Sequence, residues 1–275
     1  MNLKRKAISA LAALGLAGAM GSAQAVPVAL ELALVVDVSG SVDAGEYNTQ
    51  MDGYGAAFKT ASIQSAIESF AGSGGIAVGV YFFSQNTVVG TSWTQLTSAA
   101  QSNAFGTLLE GLARPNSGVG AIGGGPLGSA TNVAEGMDVA RAGLLGNSFE
   151  GTRLVMDVSG DGKQNTDRAG TVSCTIEGAT CNGATNDARN AAAASGIVVN
   201  GLAIIDDFAD LATWYGAHVQ SGAGSFVQSA TFATFGSAVA AKIGREVTGR
   251  VPEPGSLALI GAALIGLGAA RRRKA

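Results

Sequence analysis

Apolar runs of strand length alternate along this chain with longer stretches of helical period. The most abrupt run is Leu34-Val35-Val36-Asp37-Val38-Ser39-Gly40-Ser41-Val42. Valine and leucine at successive positions suit a strand buried on both faces of a parallel sheet, so this run predicts a central strand. It ends in an acid and two hydroxyls at alternating positions, which face one way at the sheet rim. Residues 46–70 have the spacing of one amphipathic helix, weakened by Gly53 and Gly55. The β-branched and aromatic runs 76–84 and 87–93, split by Gln85-Asn86, predict a hairpin and hence one antiparallel edge strand. Helical period returns over 96–112, and Thr131-Asn132 opens a further helix to about Gly146. Residues 153–159 then read as strand, 187–195 as helix, 197–205 as strand and 208–215 as a short helix. A short strand at 225–228 and a helix over 231–247 close the pattern. Strands alternating with helices predict an α/β fold: a doubly wound, mostly parallel sheet with one antiparallel edge strand and helices on both faces.

The two ends do not fit this pattern. Lys4-Arg5-Lys6, an apolar stretch from Ala7 to Ala17 and Ala23-Gln24-Ala25 predict a signal peptide over residues 1–25; the apolar stretch is too short for a membrane span. One domain over 26–250 follows, because a chain of 275 residues can bury one sizeable core. From Val26 to Arg250 there are 19 acidic against 10 basic residues, a net charge of -9. No basic face is available for phosphate, so nucleic acid is excluded as a partner and cations are favoured. Export also implies an oxidising compartment, in which Cys174 and Cys181, the only cysteines, are expected to form a local disulfide.

Candidate chemistry centres on oxygen donors. Asp37, Ser39 and Ser41 suit a hard cation such as Mg²⁺, which takes one or two carboxylates plus hydroxyls and water. The competing reading is that these residues, and Thr131 likewise, simply cap the helices that follow them. Asp157 lies inside its strand, whereas Asp161, between Gly160 and Gly162, stands at the strand end. Gly118-x-Gly120-x-x-Gly123 matches the dinucleotide fingerprint by letter, but a helical stretch precedes it and Gly124-Gly125-Pro126 follows, so it is set aside. Asp161-x-Lys163-x-Asn165-x-Asp167 is a poor calcium loop, with lysine at its third position and no turn glycine. His218 is the sole histidine, is read as a surface residue, and has no nucleophile elbow or Cys-His pair to accompany it.

Asp37-x-Ser39-x-Ser41 after the first strand, Thr131 in a mid-chain loop and Ser159-Gly160-Asp161-Gly162 after a later strand together resemble the von Willebrand factor type A domain with its metal-ion-dependent adhesion site. The resemblance covers about residues 29–247. It implies that Ser39, Ser41 and Thr131 bind a divalent cation directly, with Asp37 and Asp161 nearby or coordinating. Mg²⁺ is the first expectation, with Mn²⁺ and Ca²⁺ as alternatives. The chain departs from the pattern at Gly160, where many members carry threonine. Val251-Pro252-Glu253-Pro254, the apolar stretch 257–270 and Arg271-Arg272-Arg273-Lys274 resemble the PEP-CTERM sorting signal. That implies processing by an exosortase-type enzyme after a transient inner-membrane association, with a plain membrane anchor as the alternative.

The expected function is an exported, non-enzymatic adhesion or binding module at the cell surface or in the extracellular matrix. Its cation would accept a carboxylate from a protein partner. The alternatives are a structural surface or matrix component whose metal only stabilises the fold and, with less support, a metal-dependent hydrolase.

Overall fold

The structure, a computed structural model, describes residues 24–122 and 125–249. The expected signal peptide, apart from Gln24 and Ala25, and the expected C-terminal apolar tail lie outside the described residues. Among the described residues no helix is long and apolar enough to cross a membrane.

A six-stranded sheet forms the centre. In chain order its strands are β2 (Leu30–Asp37), β3 (Ile76–Phe83), β4 (Thr87–Leu96), β6 (Leu154–Gly160), β7 (Val198–Ile204) and β8 (Val227–Ala230). Their spatial order is β4-β3-β2-β6-β7-β8. Only the β3–β4 pair is antiparallel, so the doubly wound sheet with an antiparallel edge strand is as expected. Every residue of β2 is buried, as the apolar run from Leu32 to Val36 requires of a central strand. Two three-residue strands, β1 (Val26–Val28) and β5 (Phe149–Gly151), make a separate parallel pair that is too short for any period to signal.

Helices cover both faces. On one lie α1 (Ala44–Lys59), α2 (Ala61–Ser69), α3 (Ala99–Glu110) and α7 (Phe235–Thr248), packed through edge-on aromatic pairs such as Tyr54–Phe235 and Phe58–Phe105. On the other lie α4 (Val133–Gly146), α5 (Ala179–Ala194) and α6 (Leu211–His218).

Two expectations are corrected. The single helix over 46–70 is two helices, because Thr60 adopts extended backbone (φ -70°, ψ 139°) between them. The helix expected from 187 begins eight residues earlier, at Ala179, so Cys181 lies within it. Cys174 and Cys181 are bonded, with Cα atoms 5.7 Å apart, and tie the preceding loop to this helix.

Candidate metal centre

Asp37 ends β2 and Gly160 ends the neighbouring β6, so the stretches that follow both strands meet at the sheet's carboxyl edge. Chain order reverses here, since β3 lies on one side of β2 and β6 on the other. Open α/β sheets place their ligands in this crevice.

The hydroxyls in this crevice are not helix caps. α1 is capped by Asp43, whose carboxylate accepts from Glu46 N (2.9 Å) while Glu46 Oε2 accepts from Asp43 N (2.7 Å). α4 is capped by Asn132, whose Oδ1 accepts from Glu135 N. Both helices are therefore satisfied without Ser39, Ser41 or Thr131, and the cap reading is wrong for all three.

These three hydroxyls face one another and an acid instead. Thr131 Oγ1 is 3.2 Å from Ser39 Oγ, Ser39 Oγ is 3.2 Å from Ser41 Oγ, and Ser41 Oγ donates to Asp161 Oδ1 at 2.8 Å. Asp37 Oδ1 accepts from Ser39 N at 2.7 Å, while its Oδ2 is buried without a hydrogen-bond partner among the described residues. Asp37, Ser39, Thr131 and Asp161 are buried, and Ser41 opens to solvent. All five predicted residues thus form one cluster with a single exposed edge. Among the described residues no three His, Cys, Asp or Glu side chains converge; this cluster has two acids and takes its other donors from hydroxyls. An all-oxygen set with an orphaned carboxylate oxygen fits a hard divalent cation better than zinc.

The electrostatics point the same way. Burial, and then the charge of Asp161, push Asp37 up to about 8. Burial likewise raises Asp161 to about 6, opposed by the Ser41 hydrogen bond and reinforced by Asp207 and Glu46. Two acids destabilised by desolvation and mutual repulsion are a site that gains from positive charge.

Several supporting residues carried no sequence signal of their own. Arg114 donates from Nη2 to the carbonyls of Val38, Ser39 and Val42, clamping the Asp-x-Ser-x-Ser turn; its only mark in sequence is a lone charge opening a glycine-rich loop. Gln50 Nε2 donates to Asp37 O. Asn165 holds Thr131 from both sides, its Oδ1 accepting from Thr131 N (2.8 Å) and its N donating to Thr131 O (3.1 Å). Lys163 is buried and pairs with Glu177 and Asp210, so the 161–167 stretch braces the site and is no calcium loop. Gly160 has a local reason too. A Cβ there would lie 2.7 Å from Asp37 Oδ2 and 2.9 Å from the buried hydroxyl of Tyr215, so the threonine of the resembled pattern has no room. His218, half-buried at the end of α6, contacts Asn186 and Trp214 and none of the five residues.

Residues 27–251 match the family described as "Protein of unknown function (DUF1194)", and residues 250–274 match the PEP-CTERM protein-sorting motif. No curated protein matches the sequence. Solved structures share the fold at low identity. The vWF domain of the type V pili tip protein Mfa5 from Porphyromonas gingivalis is 11% identical with a TM-score of 0.51, covering 84% of this chain and 99% of that one. The pilus adhesin SpaC from Lactobacillus rhamnosus GG is 14% identical with a TM-score of 0.53, covering 82% of this chain. Proximal thread matrix protein 1 from the mussel byssus is 16% identical with a TM-score of 0.50, also over 82% of this chain. The chain spans 31% of the adhesin's length and 49% of the matrix protein's. The fold is that of a von Willebrand factor A domain.

Proposed function

The chain belongs, over residues 27–251, to the family described as protein of unknown function (DUF1194), and we propose from its site that it is an exported, cation-dependent protein-binding module. The observation that carries this reading is the release of Ser39, Ser41 and Thr131 from capping. Their hydroxyls gather instead around Asp37 and Asp161. These five residues would hold a divalent cation, Mg²⁺ first, with Mn²⁺ and Ca²⁺ as alternatives. When bound, the cation would supply an open coordination position for a carboxylate from a protein partner. Arg114, Asn165 and Gln50 keep the donors in place by holding the backbone around them.

The PEP-CTERM motif and the expected signal peptide support export, exosortase-type cleavage of the tail and residence at the cell surface or in the matrix. Likeness to a pilus tip protein and a pilus adhesin supports adhesion. The likeness to a thread matrix protein favours a second reading, a structural matrix component with a stabilising cation.

Calorimetric titration with acidic peptides tests the proposal. Binding is expected with Mg²⁺ and not with EDTA. Peptide binding that is indifferent to EDTA refutes it, and cation binding without peptide binding supports the matrix reading.

A further inference from the structure

The core contains a second group of charged side chains that the candidate metal centre does not use. Asp157 sits in the middle of β6, Lys242 and Glu246 lie one turn apart on α7, and Asn200 is on β7. Lys242 and Asp157 are fully buried. Lys242 Nζ is 2.5 Å from Asp157 Oδ1 and 2.5 Å from Glu246 Oε1. Only the contact with Glu246 is aligned as a hydrogen bond; neither oxygen of Asp157 has a hydrogen-bond partner among the described residues. Glu246 Oε1 also accepts from Asn200 Nδ2 at 2.9 Å, and the Phe226 ring lies 5.7 Å from Lys242 Nζ.

Two features of this geometry favour chemistry over a simple ion pair. Lys242 Nζ and Asp157 Oδ1 meet at 2.5 Å with both side chains fully buried, so bulk water does not compete for either group. Fixed contact between amine and carboxyl also replaces a bimolecular encounter with an intramolecular one. Burial, and next the charge of Asp157, raise Glu246 to about 8, so at neutral pH it holds a proton it can exchange.

We propose that Lys242 and Asp157 condense into an intramolecular isopeptide bond, with Glu246 as the proton carrier. Lys242 first passes a proton to Asp157, leaving a neutral amine beside a neutral carboxylic acid. The amine lone pair adds to Asp157 Cγ, forming the C–N bond. Glu246 takes the second amine proton on Oε1 and delivers a proton to the departing hydroxyl; the C–O bond breaks and one water leaves. The products are one amide and one water, with Glu246 restored and no oxidant or cofactor consumed. A cavity of about 140 Å³, lined in part by Asn200, Phe226, Arg245 and Glu246, adjoins the group and can receive that water. The bond would join the last helix of the domain to its central sheet, close to where the chain runs on toward the sorting motif.

Tryptic digestion of the purified full-length protein, after reduction and alkylation, decides the matter. Residues 154–163 are expected joined to residues 190–245, uncleaved after Lys242, at one water below the combined peptide mass. Separate peptides with normal cleavage after Lys242 overturn the proposal and leave an ion triad. A water lost from the 154–163 peptide alone, as from a succinimide at Asp161-Gly162, also overturns it. Glu246→Gln is expected to leave the peptides unjoined in protein whose circular dichroism shows it folded. Joined peptides in that variant overturn the role of Glu246. Should the variant not fold, the wild-type digest still decides whether the bond exists.

Discussion

Raising the pH of the cation-free protein should weaken it, and Mg²⁺ should restore what is lost. Asp37 and Asp161 stand above the usual carboxylate range, at about 8 and about 6. The folded state therefore holds their protons more tightly than the unfolded chain does. Stability from these groups is fully present below pH about 4 and falls as pH rises through 6 and then 8. At 1.36 kcal/mol per pKa unit, the shift at Asp37 corresponds to an order of 5 kcal/mol. Mg²⁺ competes with the same protons, so its affinity should climb over the same window. At a hundredfold excess over Kd the cation contributes about 2.7 kcal/mol. For a domain of this size that is a rise of about 5–10 °C in Tm at pH 8, shrinking towards nothing at pH 5. Differential scanning fluorimetry in Mg²⁺ and in EDTA at both pH values measures it. Asp161→Asn keeps an acceptor for Ser41 but removes one of the repelling charges. It should abolish the Mg²⁺ response while leaving the cation-free protein at pH 8 as stable as wild type or more so. Identical wild-type melting in Mg²⁺ and EDTA at pH 8 would refute the metal site and the proposed function with it.

Three further outcomes follow from the same geometry. Asp43→Ala removes the α1 cap and should lower stability by about 1 kcal/mol in chemical denaturation while leaving the Mg²⁺ shift intact; Ser39→Ala should do the reverse, and equal effects from both would contradict the division between capping and binding residues. Gly160→Thr forces a side chain against Asp37 and Tyr215 and should destabilise by about 1–3 kcal/mol, read from the urea midpoint; an unchanged midpoint would show that the space exists. Replacing Cys174 and Cys181 by serine opens a short loop and should lower stability by about 2–3 kcal/mol at most, with native circular dichroism retained; global unfolding would mean that the bridge supports the core itself.

Periodicity alone determined the order of the large elements, because an unbroken apolar run such as Leu34 to Val36 is stable only when covered on both faces. The antiparallel edge strand was legible for a similar reason: two β-branched runs split by two polar residues leave no room for a crossover. The five candidate site residues were picked out in the sequence by the pattern they resemble, and the structure brings them together in one cluster. The helix break at Thr60 and the early start of α5 at Ala179 were not, since no proline marks either boundary and α5 begins among polar residues. Only tertiary structure decided that Asp43 and Asn132 take the capping roles, because both helices have several acceptable caps in a row and packing selects among them. Arg114, Asn165 and Tyr215 act on the site from 76, 34 and 55 residues away in sequence from Val38, Thr131 and Gly160. Contacts over such separations are made by the register of the sheet and the turns at its carboxyl edge. The same holds for Lys242 and Asp157, whose meeting depends on how the last helix packs across the buried face of β6. A local pattern reports which face of an element is buried, and only the packed chain determines which side chains are buried together.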